Sequence, residues 1–228
     1  MSSSSPSALP GLLSFDATGL LPVIVQDHLT GEIRMFAFAT AEALRMTLET
    51  GRATFWSRSR GELWVKGMTS GNAIHVVRVL VDCDADCVIY ESEPEGPSCH
   101  TGAVHCFFRT LGPDGQVQEG PAPAQTLVAR LEAVLEARKT STGAASYTKS
   151  LYDAGPAKIG AKIREEAGEL AQALEAETDD RVVSEAADTL YHMLVGLRSR
   201  SLDFRRVLAA LEARHGVGGH VEKASRSR

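Results

Sequence analysis

The chain has no apolar run approaching the length of a membrane span, so no transmembrane helix is expected. It has no excess of positive charge. With 24 Lys and Arg against 29 Asp and Glu, its formal net charge is −5. That balance argues against nucleic acid or an anionic membrane as the main partner. Cysteine is scarce: Cys83, Cys87, Cys99 and Cys106 are the only four, and all fall in one short stretch. Met1–Pro10 is rich in Ser and Pro, with neither a basic nor an apolar region, and does not read as a secretion signal. Metal binding is therefore expected in place of disulfides, in a cytoplasmic protein. No internal repeat is visible.

What is present is a composition of 43% hydrophobic and 23% charged residues over 228 positions, enough for one large or two small packed domains. The pattern changes near residue 112. Before it, Val23–Asp27, Ile33–Ala39, Ala53–Ser57, Leu63–Gly67, Ile74–Val81, Val88–Glu91 and Cys106–Thr110 read as strands. Ala41–Thr50 reads as a helix started by Thr40 and stopped by Gly51. Gly-Pro-Asp-Gly and Gly-Pro-Ala-Pro then mark a turn-rich linker. Beyond it Leu127, Leu131, Val134 and Leu135 recur at helical spacing, and Ile159–Glu177, Arg181–Arg200 and Leu202–His215 read as further helices, the last stopped by Gly216. The expected organisation is a disordered tail over 1–18, a mainly β (α+β) domain over 19–111, a linker over 112–124, an all-α bundle over 125–216 and a polar tail over 217–228.

The cysteines carry the most specific signal. Cys83 sits within Asp82-Cys83-Asp84-Ala85-Asp86. Soft thiolates suit Zn²⁺ and hard carboxylates suit Mg²⁺. If residues 73–86 are extended, Asp82, Asp84 and Asp86 share one side and Cys83 the other. Cys83 together with Cys99 and Cys106 would give three ligands and leave a fourth position open, the catalytic pattern. Cys87 is left over and is expected to be a small buried residue. His100 and His105 lie between the last two cysteines, and His100 is the better candidate for proton transfer. His75 falls on the Val77, Val79 and Val81 side of its strand, where a core role is as good a reading as a catalytic one.

Upstream, Arg58, Ser59 and Arg60 and the segment Lys66-Gly67-Met68-Thr69-Ser70-Gly71-Asn72 form a basic, glycine- and hydroxyl-rich cluster. Arginine pairs bidentately with phosphate, and glycine loops bring backbone amides close to it. Beside a metal cluster, phosphate binding by Arg58, Ser59, Arg60, Lys66, Gly67, Thr69, Ser70, Gly71 and Asn72 is the favoured reading.

Asp-Cys-Asp-Ala-Asp, Cys99-His-Thr-Gly and Cys106, preceded by Ser57-Arg-Ser-Arg and Trp64-Val-Lys-Gly, resemble phosphoribosyl-AMP cyclohydrolase of histidine biosynthesis, from about Gly19 to Leu111. The resemblance implies zinc on Cys83, Cys99 and Cys106, completed across a homodimer interface, and magnesium on Asp82, Asp84 and Asp86. It implies hydrolytic opening of an adenine ring between N1 and C6, with His100 moving the proton. Met68 stands where that family commonly has Glu, His75 where it often has Gln and His105 where it usually has Ser.

In the helical half, Ile159, Ile163, Leu170 and Leu174 form one stripe, and Glu166 falls inside it with Glu169 at its edge. On the next helix Val182, Ala186, Met193 and Leu197 form a stripe, bordered by Glu185, Asp188 and His192. Pairs three residues apart share a helix face. Four carboxylates on facing helices need cations between them, and Mg²⁺ bridging to a pyrophosphate is the natural one. Lys158 and Lys162 are placed to reach phosphate. Pro156 to Leu170 and Ser184 to His192 resemble phosphoribosyl-ATP pyrophosphohydrolase, over roughly Leu127 to Gly216. That resemblance implies Glu166, Glu169, Glu185 and Asp188 as magnesium ligands, with any of these four, or Glu165, available to orient the attacking water. It also implies a dimer.

The two resemblances imply one bifunctional hydrolase acting on phosphoribosyl-ATP and then on phosphoribosyl-AMP. Two other readings compete. One is a general nucleotide pyrophosphohydrolase joined to a diverged zinc hydrolase. The other is a zinc-stabilised binding module on a dimerising bundle, which has no use for a phosphate-binding loop.

Overall fold

The computed structural model describes residues 11–119, 126–141 and 146–215. The chain divides into two compact units at Thr126/Leu127. The expected tail over 217–228, residues 120–124 of the expected linker and the Gly216 helix stop lie outside the described residues, as do residues 1–10 of the first tail.

The first unit is a six-stranded sheet. Its strands are β1 (Leu21–Asp27), β2 (Ile33–Ala39), β3 (Thr54–Ser57), β4 (Glu62–Val65), β5 (Ile74–Val81) and β6 (Val88–Pro94). They lie in the order β4-β3-β2-β1-β6-β5. Every pairing is antiparallel except β1 with β6, which runs parallel with Val23 beside Val88. Val23 and Val25 on β1 and Val88 and Tyr90 on β6 alternate into the core, as period-two side chains must. Helix α1 (Ala41–Thr50) closes this core with Ala43 and Leu44. Thr40 caps it by accepting from the Ala43 amide, and Gly51 ends it at φ 68°, a left-handed geometry glycine adopts without strain.

Three expectations for this unit change. Residues 11–18 are not free: Leu13 is buried in the core and Ser14 donates its amide to the Ala85 carbonyl at 2.7 Å. The last strand is not Cys106–Thr110. It is β7 (Arg109–Leu111), paired with β8 (Val117–Glu119), so a hairpin occupies the start of the expected linker. Gly112-Pro-Asp-Gly is its turn, with the Gly112 amide on the Gln116 carbonyl at 2.9 Å. Finally, β5 stops at Val81. Residues 82–87 form a turn, with Ala85 at φ 64° and the Cys87 amide on Asp82 Oδ1 at 3.1 Å. The three aspartates are therefore gathered by a turn and not by strand alternation.

The second unit is helical: α2 (Leu127–Lys139), α3 (Tyr147–Ala154), α4 (Pro156–Ala176), α5 (Asp179–Ser199) and α6 (Phe204–Glu212). Leu135, Leu151, Ile159, Leu194 and Val195 form its core. Helix α3 was not legible as a separate element. Its local cues are the Ser146 cap, the Gly155 stop and buried Thr148 and Leu151. The expected stripes also turn. On α4, Leu174 is exposed and Ala173 is buried. On α5 the buried face carries Glu185, His192, Leu194 and Val195, while Ala186 and Met193 are exposed. The acidic side of α5 faces Glu166 of α4, so a carboxylate and not an apolar residue takes that buried position, with Arg181 paired to Glu185. No helix among the described residues is long and apolar enough to cross a membrane.

Candidate metal and substrate sites

Strands β2, β3 and β4 form one wall of a cleft of about 550 Å³. Arg58, Ser59 and Arg60 lie at the turn between β3 and β4 and line it, and His100 lines it from the loop after β6. That wall is aromatic: Phe36 and Phe38 on β2, Trp56 on β3 and Trp64 on β4. Sequence reasoning missed these four as site residues. The signal was the period-two placement of Phe36 and Phe38, which puts both on one sheet face.

The loop over 67–72 does not line this cleft. Thr69, Ser70 and Gly71 are exposed on a tight turn in which the Gly71 amide donates to the Gly67 carbonyl at 2.9 Å. A Cβ on Gly67 would stand 2.5 Å from the Ala73 backbone, so this position requires glycine. Asn72 packs its side chain over Gly96. Met68 is 70% exposed. Lys66 leaves the loop and is buried, with its ammonium 5.9 Å from the Trp64 ring. Burial lowers its pKa, and the nearby Cys106 and Cys99 oppose that shift.

Cys99 and Cys106 face each other. Burial raises the Cys99 thiol, but the Thr101 hydroxyl, donating to its sulfur at 3.1 Å, and nearby backbone amides outweigh it, so the net shift is downward. Cys106 is pushed up to about 11 by burial and by the charge of Cys99. Ionisation of Cys99 first is therefore favoured. Cys83 does not join them: among the described residues no group of three metal-ligating atoms within 4.8 Å includes a cysteine. It is exposed in the aspartate turn, its thiol 3.8 Å from Asp84 Oδ1. Asp82, Asp84 and Asp86 do come together within 4.8 Å. The charge of Asp84, and then the hydrogen bond to Asp82, raise the Asp86 carboxyl. Cys87 is half-buried, not fully buried.

The other two histidines are placed plainly. His75 is exposed and paired with Glu95 at 2.9 Å, so it is not a core residue, because β5 is an edge strand. His105 is fully buried and its Nε2 donates to Glu32 Oε2 at 3.3 Å. Glu32 Oε1 also accepts the Thr126 amide at 3.0 Å. Burial raises the Glu32 carboxyl, but these two donors outweigh it and hold it below its ordinary 4.5. A group whose folded pKa is depressed stabilises the fold above its unfolded value and loses that contribution as pH falls through the folded one. Glu32→Gln is thus expected to cost about 1.5–3 kcal/mol at pH 7, the size of a charged hydrogen-bonded contact. The difference from wild type should shrink in acid below 4.5. Urea unfolding followed by fluorescence of Trp56 and Trp64, both in the first unit, measures it.

In the helical unit Glu166 of α4 and Glu185 and Asp188 of α5 bring carboxylate oxygens within 4.8 Å of one another. Glu166 and Glu185 are buried, Asp188 is exposed. Lys162 bridges Glu165 at 2.9 Å and Glu166 at 2.8 Å, while Lys158 is exposed near Glu165. Arg181 pairs with Glu185 at 2.6 Å. Glu169 is exposed and stands outside the trio, but its carboxyl meets Glu185. Burial raises the Glu185 carboxyl, Arg181 opposes it, and Glu169 and Asp188 add to the rise. Buried His192 donates from Nδ1 to the Asp188 carbonyl and accepts at Nε2 from the Tyr147 hydroxyl, each at 2.9 Å. Hard oxygens converging from two helices, mutually repelling, fit a divalent cation by their donor chemistry.

A family model described as phosphoribosyl-AMP cyclohydrolase matches residues 35–108, and one described as phosphoribosyl-ATP pyrophosphohydrolase matches residues 128–215. The histidine biosynthesis bifunctional protein HisIE of Thermus thermophilus is 42% identical over 201 residues, 88% of this chain and 91% of that protein. Its namesake from Caldanaerobacter subterraneus is 38% identical over 203 residues, 89% of this chain and 96% of its own. The chain belongs to the bifunctional HisIE family. As a HisIE hydrolase it carries the cyclohydrolase domain in its sheet-rich half and the pyrophosphohydrolase domain in its helical half. Relatives that span both halves under one name leave no support for a general pyrophosphohydrolase joined to an unrelated hydrolase, or for a binding module without catalysis.

Proposed function

We propose that the two hydrolytic reactions of this family run at two separate metal sites, one in each unit of the chain. The observation that carries this reading is the pair of clusters: thiols and aspartates in the first unit, buried carboxylates in the second.

In the helical unit Glu166, Glu185 and Asp188, with Glu169 beside them, hold magnesium, which supplies charge to the phosphate oxygens of phosphoribosyl-ATP. Lys158 and Lys162 approach the phosphates from α4. One of these four carboxylates, or Glu165, orients the attacking water. Loss of pyrophosphate then yields phosphoribosyl-AMP.

In the sheet unit Cys99 and Cys106 hold zinc together with Cys83 of a second copy, since Cys83 does not reach the pair within one chain. Zinc supplies the Lewis acidity that makes water reactive near neutral pH. Asp82, Asp84 and Asp86 take magnesium. Arg58, Ser59 and Arg60 bind a phosphate end of phosphoribosyl-AMP in the cleft, and the Gly67, Thr69, Ser70, Gly71 and Asn72 loop with Lys66 serves the other. His100, in the same cleft, moves the proton as the N1–C6 bond opens. Exposed Val77 and Val81 on edge strand β5, and exposed Val183 and Leu174 in the bundle, support a homodimer. Phosphorylated nucleotides do not cross membranes, which supports a cytoplasmic site of action.

The test is to supply phosphoribosyl-ATP with Zn²⁺ and Mg²⁺ and follow pyrophosphate and the ring-opened product. Both should form. Folded, metal-replete protein that forms neither overturns the reading.

A further inference from the structure

Phe36, Phe38 and Trp56 lie outside the buried core of the sheet unit, and their rings face the cleft that holds Arg58 and His100. Phe38 pairs across the sheet with Trp56. Phe36 stands edge-on to Phe38, at 5.0 Å between centroids and 80° between planes. One face of Phe38 is covered by the Arg58 guanidinium, 4.1 Å from the ring centroid. A planar cation at that distance marks the face as open to a planar, electron-poor group, because the ring presents its negative π-cloud there.

The N1-ribosylated adenine of phosphoribosyl-AMP is such a group, since alkylation at N1 withdraws electron density from the ring. We infer that Phe38 is the stacking face for that purine, and that Arg58 is a placeholder which leaves the face for a phosphate when the purine arrives. This rests on the ring-opening activity assigned to the cleft. Three considerations support the exchange. A base stacks on an aromatic ring more strongly than an exposed guanidinium does. Arginine, once displaced, is better matched to a phosphate, which it can grip bidentately. A purine on Phe38 also sits in the cleft lined by His100, the neighbour of Cys99, so stacking delivers the ring to the metal-binding end. Phe38 is thus a specificity-determining residue: it selects a flat base, while Arg58, Ser59 and Arg60 select phosphate.

The test uses the full chain and AMP as probe. Trp56 and Trp64 are its only tryptophans and both line this cleft, so their quenching reports this site alone. Ribose 5-phosphate, which lacks the base, is measured by competition against AMP. Phe38→Leu should weaken AMP about tenfold, the size of one lost base–aromatic stack, and leave ribose 5-phosphate unchanged. Phe38→Tyr keeps a π-face and should bind AMP as wild type does. The stacking role is overturned if Phe38→Leu binds AMP normally, if it loses both ligands equally, or if Phe38→Tyr is as weak as Phe38→Leu. Wild-type turnover separates the two readings. Ring opening with a KM for phosphoribosyl-AMP indifferent to Phe38→Leu sinks the stacking alone, whereas wild type that neither opens the ring nor binds AMP sinks the ring-opening assignment as well.

Discussion

Cys99→Ala should reduce ring opening by at least about a thousandfold while pyrophosphate release continues at its wild-type rate, because the proposed three-thiolate site cut to two would no longer hold its ion firmly. Cys99 is the member of the facing pair whose thiol is shifted downward, while Cys106 is held up at about 11. Removing Cys99 therefore removes the thiol that ionises more readily and leaves the one that resists ionisation. Thiolate ligation requires that ionisation, so bound zinc, measured by elemental analysis of the dialysed protein, should fall with activity. Among the described residues the helical unit has its own core and its own carboxylate cluster. Parallel loss of both activities in folded protein would sink the idea of independent sites.

The second large effect is expected at Glu185, and it has two signs. Glu185→Gln should slow pyrophosphate release at least about a hundredfold, since at the proposed magnesium site a buried, charged carboxylate is replaced by a neutral amide. The same substitution should leave the magnesium-free protein at least as stable as wild type at neutral pH. Burial, and beyond the opposing pull of Arg181 the charges of Glu169 and Asp188, raise the Glu185 carboxyl in the folded state. A raised carboxyl means the ionised form opposes folding: the stabilising contribution exists below the unfolded pKa, near 4.5, and is lost as pH rises through the folded value. Glutamine carries no charge to repel. What it forfeits is the contact with Arg181, an i,i+4 pair whose arginine is exposed, and such pairs contribute little. Thermal unfolding without Mg²⁺, at pH 7 and pH 5, checks this. A melting temperature well below wild type at pH 7 would show that Glu185 is a structural partner of Arg181 more than a cation ligand.

Much of the fold was legible because it is written in local chemistry. Thr40 and Gly51 bracket α1, and β2 and β5 have the bounds their alternating residues imply. What could not be read was set by partners distant in sequence. Reading the aspartates as alternate strand residues assumed that the backbone stays extended past Val81. The Cys87 amide on Asp82 and the left-handed Ala85 turn it instead. The three carboxylates converge all the same, by a different route. On α5 the helical period gave an apolar stripe, but Glu185 is buried facing Glu166 across the interface, its charge paired with Arg181, and Met193 is left partly exposed. The charged residues of the cleft were visible as a motif. Its aromatic wall was not, because a phenylalanine in a strand looks the same whether it faces a core or a ligand.

The single parallel pairing in the sheet has a consequence for how the chain is made. Strands β1 and β2, and then β3 and β4, are hairpins joined through α1, and can pair while synthesis proceeds. The free side of β1 has to wait for β6, which emerges only after α1 and three further strands. Until then β1 presents an unpaired edge bearing Val23 and Val25, the kind of surface that invites pairing with another chain. Closing that gap brings together segments far apart in sequence, which is the slow kind of contact to form. The nascent sheet is therefore most vulnerable to aggregation before Val88 leaves the ribosome.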